Sequence, residues 1–223
     1  MRERPMNAFV AQALREAELR RPVAEHPARP LAGEVSVDQL AIAAAEGDAQ
    51  AVGRLYDALV DPIYRYVVVR VRRREDAEDL TQIVFERIVA SLPRYRHRGR
   101  PFEAWAFRIA RNAVIDHVRR EHSHEPLDPE AGHFRGDVGP EAISLHIEEI
   151  RELNDAIGAL TADQQEALAL RYAAGLSAEE AAQVMGRRAG TVRGLTFRAI
   201  VSLRRHLNHD GRAHQGRAEA ARR

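Results

Sequence analysis

The amino-acid sequence predicts an all-α protein: two small helical domains joined by a flexible linker, the C-terminal one a helix-turn-helix. Three observations carry that expectation. From Ser36 onward, apolar residues recur at helical spacing behind repeated side-chain caps. Between them, 122–139 (HSHEPLDPEAGHFRGDVG) holds no period and is rich in Pro, Gly and Asp. Finally, 176–207 (LSAEEAAQVMGRRAGTVRGLTFRAIVSLRRHL) reads as two helices around a tight corner, the second carrying the positive charge.

Taken in order, residues 1–35 are rich in Arg, Ala, Glu and Pro, and are expected to be a disordered extension. The first domain spans 36–121. Ser36 and Gln39 form a capping box ahead of Leu40 and Ile42, and Gly47-Asp48 closes that helix and caps the next. A longer helix follows through Leu55, Tyr56, Leu59, Ile63, Tyr64, Val67, Val68 and Val71, with a possible kink at Pro62. Glu75-Asp76 opens a third helix with acidic residues where the dipole favours them. Pro93 stops it, and PRYRHRGR forms a basic loop. Pro101 suits the first turn of PFEAWAFRIARNAVIDHVRRE. On a wheel, Ala106, Phe107, Ala110, Ala113 and Val114 share an apolar arc, while Trp105, Arg108, Asn112 and Arg119 lie opposite. A tryptophan beside arginine and asparagine suits base stacking and hydrogen bonding. The plainer alternative is that Trp105 closes the domain core.

After the linker, the second domain spans 140–208, followed by a tail, 209–223, expected to be disordered. Thr161 with Gln164 and Ser177 with Glu180 are further capping boxes. Gly175 and Gly186 stand where left-handed residues end helices. In the last helix Val192, Leu195, Ala199, Leu203 and Leu207 form a buried stripe, with Arg187, Thr191, Gly194, Arg198 and Arg205 opposite. From Ala181 to His209 there is no acidic residue. Such a helix suits the DNA major groove.

Bulk properties narrow the alternatives. The chain has 223 residues, 45% hydrophobic and 30% charged, with a net charge of only +1. Affinity for nucleic acid must therefore come from local segregation of charge. The absence of cysteine excludes disulfides, a thiol nucleophile and cysteine-ligated zinc. No apolar run reaches the roughly 20 residues of a membrane span. His122, His124 and His133 are too loosely spaced for a metal motif, and no nucleophile–base pair or phosphate loop is found. No metal, cofactor or catalytic residue is expected, and the chain is read as a cytoplasmic non-enzyme.

These motifs resemble the extracytoplasmic-function sigma factors of bacterial RNA polymerase. The resemblance runs from about Val37 to Leu207 and rests on GDAQAVGRLYD, DAEDLTQIVFERI and FEAWAFRIARNAVIDHVRR, followed by LTADQQEALALRYAAGLSAEEAAQVMGRRAGTVRGLTFRAIVSLRR. It implies region 2-like and region 4-like domains in tandem. Asp79, Leu80, Gln82 and Phe85 fall where the family docks on the clamp helices of the polymerase's largest subunit; region 4 would meet the flap of the second largest. Trp105, Arg108 and Asn112 fall where it opens the −10 promoter element, flanked by Arg96 and Arg98 of the basic loop and by Arg119. Arg187, Arg188, Thr191, Arg193 and Arg198 fall where it reads the −35 element. Acidic linker residues (Glu125, Asp128, Glu130, Asp137) would thread toward the RNA exit path, and an anti-sigma factor is an implied partner. Gly194 replaces a customary serine, Leu195 a common arginine and Gly53 a bulky residue. Two other functions stay open: a sigma-like protein that only titrates an anti-sigma factor, and a helix-turn-helix regulator using the second domain alone.

Overall fold

The computed structural model describes residues 35–71, 73–124 and 155–220. The expectations for the N-terminal extension up to residue 34 and for linker residues 125–139 lie outside the described residues, whereas linker positions 122–124 are helical, as the end of the helix that begins at Phe102. Within them, every regular element is helical.

Local caps set the boundaries of the first module. Helix α1 (Val37–Ala45) starts at Ser36, whose hydroxyl accepts from Gln39 N while the Gln39 side chain accepts from Ser36 N. Gly47 turns the chain at φ 101°, where a side chain would be strained, and Asp48 Oδ1 then accepts from Gln50 N and Ala51 N to start α2 (Ala49–Val68). Pro62 is accommodated inside α2, which is assigned as one helix throughout. Helix α3 (Arg74–Ser91) begins one residue before Glu75 and has no side-chain cap; Glu75 and Asp76 in its first turn supply the favourable charge. A 3-10 turn (Leu92–Arg94) contains Pro93.

Helix α4 (Phe102–His124) starts just after Pro101, and its first N–H is satisfied from a distance. Phe102 N donates to Asp38 Oδ1 at 2.7 Å, so the first turn of α1 caps α4. Tyr66, Phe102, Phe107, Ile63 and Val114 fill the module's interior. Tyr66 and Phe107 meet edge to face at 5.8 Å.

In the second module, Thr161 and Gln164 form a reciprocal box ahead of α5 (Ala162–Leu168). Its end widens into a π turn (Ala169–Ala173), and Gly175 reverses the chain at φ 77°. Helix α6 (Ala178–Met185) has the expected Ser177–Glu180 box and ends on left-handed Gly186. Helix α7 (Ala189–Ala220) buries Val192, Leu195, Ala199 and Leu203, the expected stripe. It continues past Asn208, where the sequence reading placed a disordered tail. No proline interrupts that stretch, and Arg, Ala and Gln favour helix.

The two modules touch. Helix α6 packs on α4, and the π turn packs on α2, so that one apolar cluster runs from Leu40 to Leu195 across both. A second, smaller cluster (Ala156, Leu160, Ala199, Leu203) sits inside the C-terminal module alone.

Candidate nucleic-acid interface

The corner at Gly186 and the start of α7 build one basic face. Arg187, Arg188, Thr191, Arg193 and Arg198 are all exposed there. Two of these arginines have acidic partners within the module. Arg187 Nη2 donates to Asp163 Oδ2 at 3.0 Å, and Arg193 Nη2 pairs with Glu179 Oε1. No ion pair is found for Arg188 or Arg198 among the described residues.

The sequence reading missed a further residue on this face. Phe197 is 69% exposed, one helical turn after Arg193 and directly before Arg198. The wheel contained the signal, because Phe197 falls opposite the Val192–Ala199 stripe. A large apolar ring held in water between cations suits the methyl group of thymine in a major groove. Leu195, by contrast, is 8% exposed and belongs to the apolar cluster, so it is directed away from that face. Gly194 leaves room: a Cβ built there meets nothing within 4 Å.

The second face lies along α4. Arg108, Asn112 and Arg119 are exposed, and helical spacing aligns them with Trp105. Trp105 is half-buried, packed on Phe102 (ring centroids 5.0 Å apart) and on Tyr95 (5.2 Å). Tyr95 and Phe102 meet edge to face at 5.1 Å, making a three-ring knot that props the indole from beneath. Trp105 thus combines the two roles left open by its sequence: part of it packs, part of it faces solvent. Burial, then Asp38 and Glu103, push the Tyr95 hydroxyl above its ordinary pKa, so the ring stays neutral.

In the basic loop Gly99 turns at φ 68°. Arg96 folds back, donating to Pro93 O (3.2 Å) and Tyr95 O (2.9 Å), whereas Arg98 is exposed. Among the described residues, the atoms best placed for a cation are on Asp76, His117 and Glu121. His117 Nε2 lies 3.9 Å from Asp76 Oδ2 and 3.6 Å from Glu121 Oε1.

The residues expected to dock on a protein partner divide. Asp79 and Gln82 are exposed on α3, while Leu80 and Phe85 are buried. Phe85 packs on exposed Tyr56 at 4.7 Å. Together with Val60, Tyr64 and Val89 they line a groove between α2 and α3, with Asp61, Glu78 and Glu86 around it. Leu80 shapes the helix from inside and offers no surface to a partner.

Comparison with known proteins matches these two modules separately. The sigma-70 region 2 profile matches residues 55–124 and the sigma-70 region 4 profile residues 150–203. The chain is 38% identical over 170 residues to the ECF RNA polymerase sigma factor BldN of Streptomyces coelicolor, covering 74% of this chain and 64% of that protein. It is 33% identical over 185 residues to the ECF RNA polymerase sigma factor SigD of Mycobacterium tuberculosis, covering 80% and 86%. Among solved structures, CnrH in complex with the cytosolic domain of CnrY superposes with a TM-score of 0.60 at 25% identity, covering 78% of this chain and 99% of that one. The sigma factor RpoE of Bartonella quintana, in complex with the anti-sigma factor NepR, gives 0.54 at 25% identity, covering 70% and 96%.

Proposed function

Because the chain belongs to the sigma-70 family, among the extracytoplasmic-function RNA polymerase sigma factors, we propose that it is an alternative promoter-specificity subunit. It binds core RNA polymerase and directs it to promoters carrying −35 and −10 elements. The observation that carries this reading is the tandem of two modules in one chain, each with its own exposed basic face. An isolated DNA-binding hairpin needs no second module with a propped tryptophan.

The two faces do different work. On α7, Arg187, Arg188, Arg193 and Arg198 meet phosphates and base edges of duplex DNA, and Thr191 and Phe197 complete the reading surface. Each neutralised phosphate contributes about −0.9 to the salt slope of binding. On α4, Trp105, Arg108 and Asn112 take up bases once strands part, flanked by Arg96, Arg98 and Arg119. Extruding a base costs a few kcal/mol, and one stacked aromatic returns about 1–3 kcal/mol. The groove beside Asp79 and Gln82 receives the polymerase clamp, with Phe85 and Tyr56 as its apolar floor.

The chain supplies binding and leaves bond chemistry to the polymerase. That places its work in the cytoplasm; no helix among the described residues is long and apolar enough to cross a membrane. The solved relative RpoE is in complex with the anti-sigma factor NepR, and CnrH is in complex with the cytosolic domain of CnrY; an anti-sigma factor is proposed as a partner here.

Run-off transcription tests the assignment. Core polymerase plus this chain should transcribe from promoters selected by sequencing the DNA bound by the complex. A chain that binds core but never supports a transcript would shift the reading to a titrating protein, which the inward-facing Leu195 and the missing serine hydroxyl at Gly194 favour.

A further inference from the structure

The residues just ahead of α4, Arg98-Gly99-Arg100-Pro101, offer no side-chain acceptor for its first amides. Phe102 is fully buried, so water does not readily replace the missing partner. The acceptor comes from another helix. Phe102 N donates to Asp38 Oδ1 at 2.7 Å, a short bond to a charged group, and that charge also suits the start of α4.

Asp38 is itself well placed for this. The Ser36–Gln39 box fixes the first turn of α1, and α1 packs on both the 3-10 turn and α4. The same Asp38 Oδ1 lies 3.8 Å from His97 Nδ1, and His97 Nδ1 lies 3.4 Å from the Tyr95 hydroxyl. One carboxylate therefore reaches both rings that support Trp105: Phe102 through its amide, and Tyr95 across His97. Those rings stand 5.0 Å and 5.2 Å from the indole.

Stacking a base on an aromatic ring supplies about 1–3 kcal/mol. That figure holds for a platform already in place; ordering the ring at the moment of capture would subtract from it. An α4 first turn without its acceptor would fray, and the two rings beneath Trp105 would lose their common anchor.

We propose that Asp38, on α1, is a positioning residue for base capture: its carboxylate fixes Phe102 and, across His97, Tyr95, and so sets the place of the Trp105 indole. The base-capture half of this statement rests on the sigma-factor reading; the seating of the indole does not.

Trp105 is the chain's only tryptophan, so its emission reports the site without a competing signal. In the full-length chain, Asp38→Ala should shift that emission to the red and make it easier to quench with acrylamide. Asp38→Asn keeps an oxygen that accepts from Phe102 N, and should restore the emission of the unsubstituted chain. With core polymerase, Asp38→Ala should bind as before but lower open-complex formation about tenfold, measured by permanganate footprinting, and Asp38→Asn should recover most of it. His97→Ala carries the fluorescence test if Asp38→Ala loses its helical circular dichroism, because His97 is about one-third exposed. Unchanged emission in both alanine variants overturns the positioning. An asparagine variant no better than alanine overturns the part played by the Phe102 bond. Shifted emission with normal melting overturns the role in base capture. If the unsubstituted chain supports no transcript, the sigma-factor reading fails, while the fluorescence result still decides whether Asp38 seats the indole.

Discussion

Arg187 and Asp163 form an ion pair at 3.0 Å that ties the corner of the helical hairpin to the first turn of α5. Arg193 and Glu179 do the same between α7 and α6. Two arginines of the proposed −35 face are thus neutralised by carboxylates of their own module, which DNA phosphates must displace. Both pairs are about half exposed, so each is worth about 0.2–1 kcal/mol.

Glu179→Gln frees Arg193 and removes a negative charge from the DNA-facing side. Affinity for a −35 duplex should rise by about two- to fivefold at low salt, and the gain should shrink as salt screens the face. Fluorescence anisotropy across a salt series checks this; equal affinity at every salt concentration would take Arg193 off the DNA.

Phe197→Ala separates specificity from charge. The ring is 69% exposed, so folding should change little. Loss of one apolar contact to thymine should cost about 1 kcal/mol, or roughly fivefold, on a selected promoter. Binding to random duplex should be unaffected. An equal loss on both DNAs would make Phe197 a general contact.

The glycine departures carry a stability prediction. A Cβ at Gly53 meets nothing within 4 Å, and the residue is exposed inside α2. Gly53→Ala should therefore stabilise the chain by about 1 kcal/mol through helix propensity alone. Leu195→Arg, which restores a residue common in the family, should do the opposite, because it drives a charge into the apolar cluster. Thermal or urea unfolding reads both signs.

What the sequence disclosed, and what it withheld, follows the range of each interaction. Ser36–Gln39, Thr161–Gln164 and Ser177–Glu180 act across three residues, and all three boxes form as their spacing predicts. The stripe Val192–Leu203 is equally local, set by helical period. Asp38 capping Phe102 and Tyr66 bonding Glu166 are 64 and 100 residues apart, and no pattern announces them. Leu80 matches the family's partner-docking motif, yet it shares the buried face of α3 with Val84 and Ile88. Phe197, opposite the Val192–Ala199 stripe, is legible in the same helical period.

Asn112→Ala tests the α4 face. The side chain is exposed on the face that carries Arg108 and half-buried Trp105, away from the groove beside Gln82. Core polymerase should bind the variant as before, while open-complex formation falls by about tenfold, the worth of one lost base contact. Permanganate footprinting of unpaired thymines measures this directly, and normal melting would remove Asn112 from the site.

Glu103 sets a pH dependence. It stands in the first turn of α4, and its carboxyl is held above the usual carboxylate range. Burial is the largest cause; a bond to its own backbone opposes it, and Glu180 of α6 and Asp38 of α1 add to it. The folded chain therefore holds this proton more tightly than the unfolded chain does. The associated stability is fully present below the unfolded carboxyl's pKa and is lost as pH rises through the raised value, so an ionised, partly desolvated carboxylate weighs on the fold at neutral pH. Glu103→Gln keeps an acceptor for the backbone and removes the charge. Its melting temperature should exceed that of the unsubstituted chain at pH 7 and converge with it as pH falls below the carboxylate range. A variant that is less stable at pH 7 would mean that the attraction of the α4 N-terminus for negative charge outweighs burial and the two neighbouring acids.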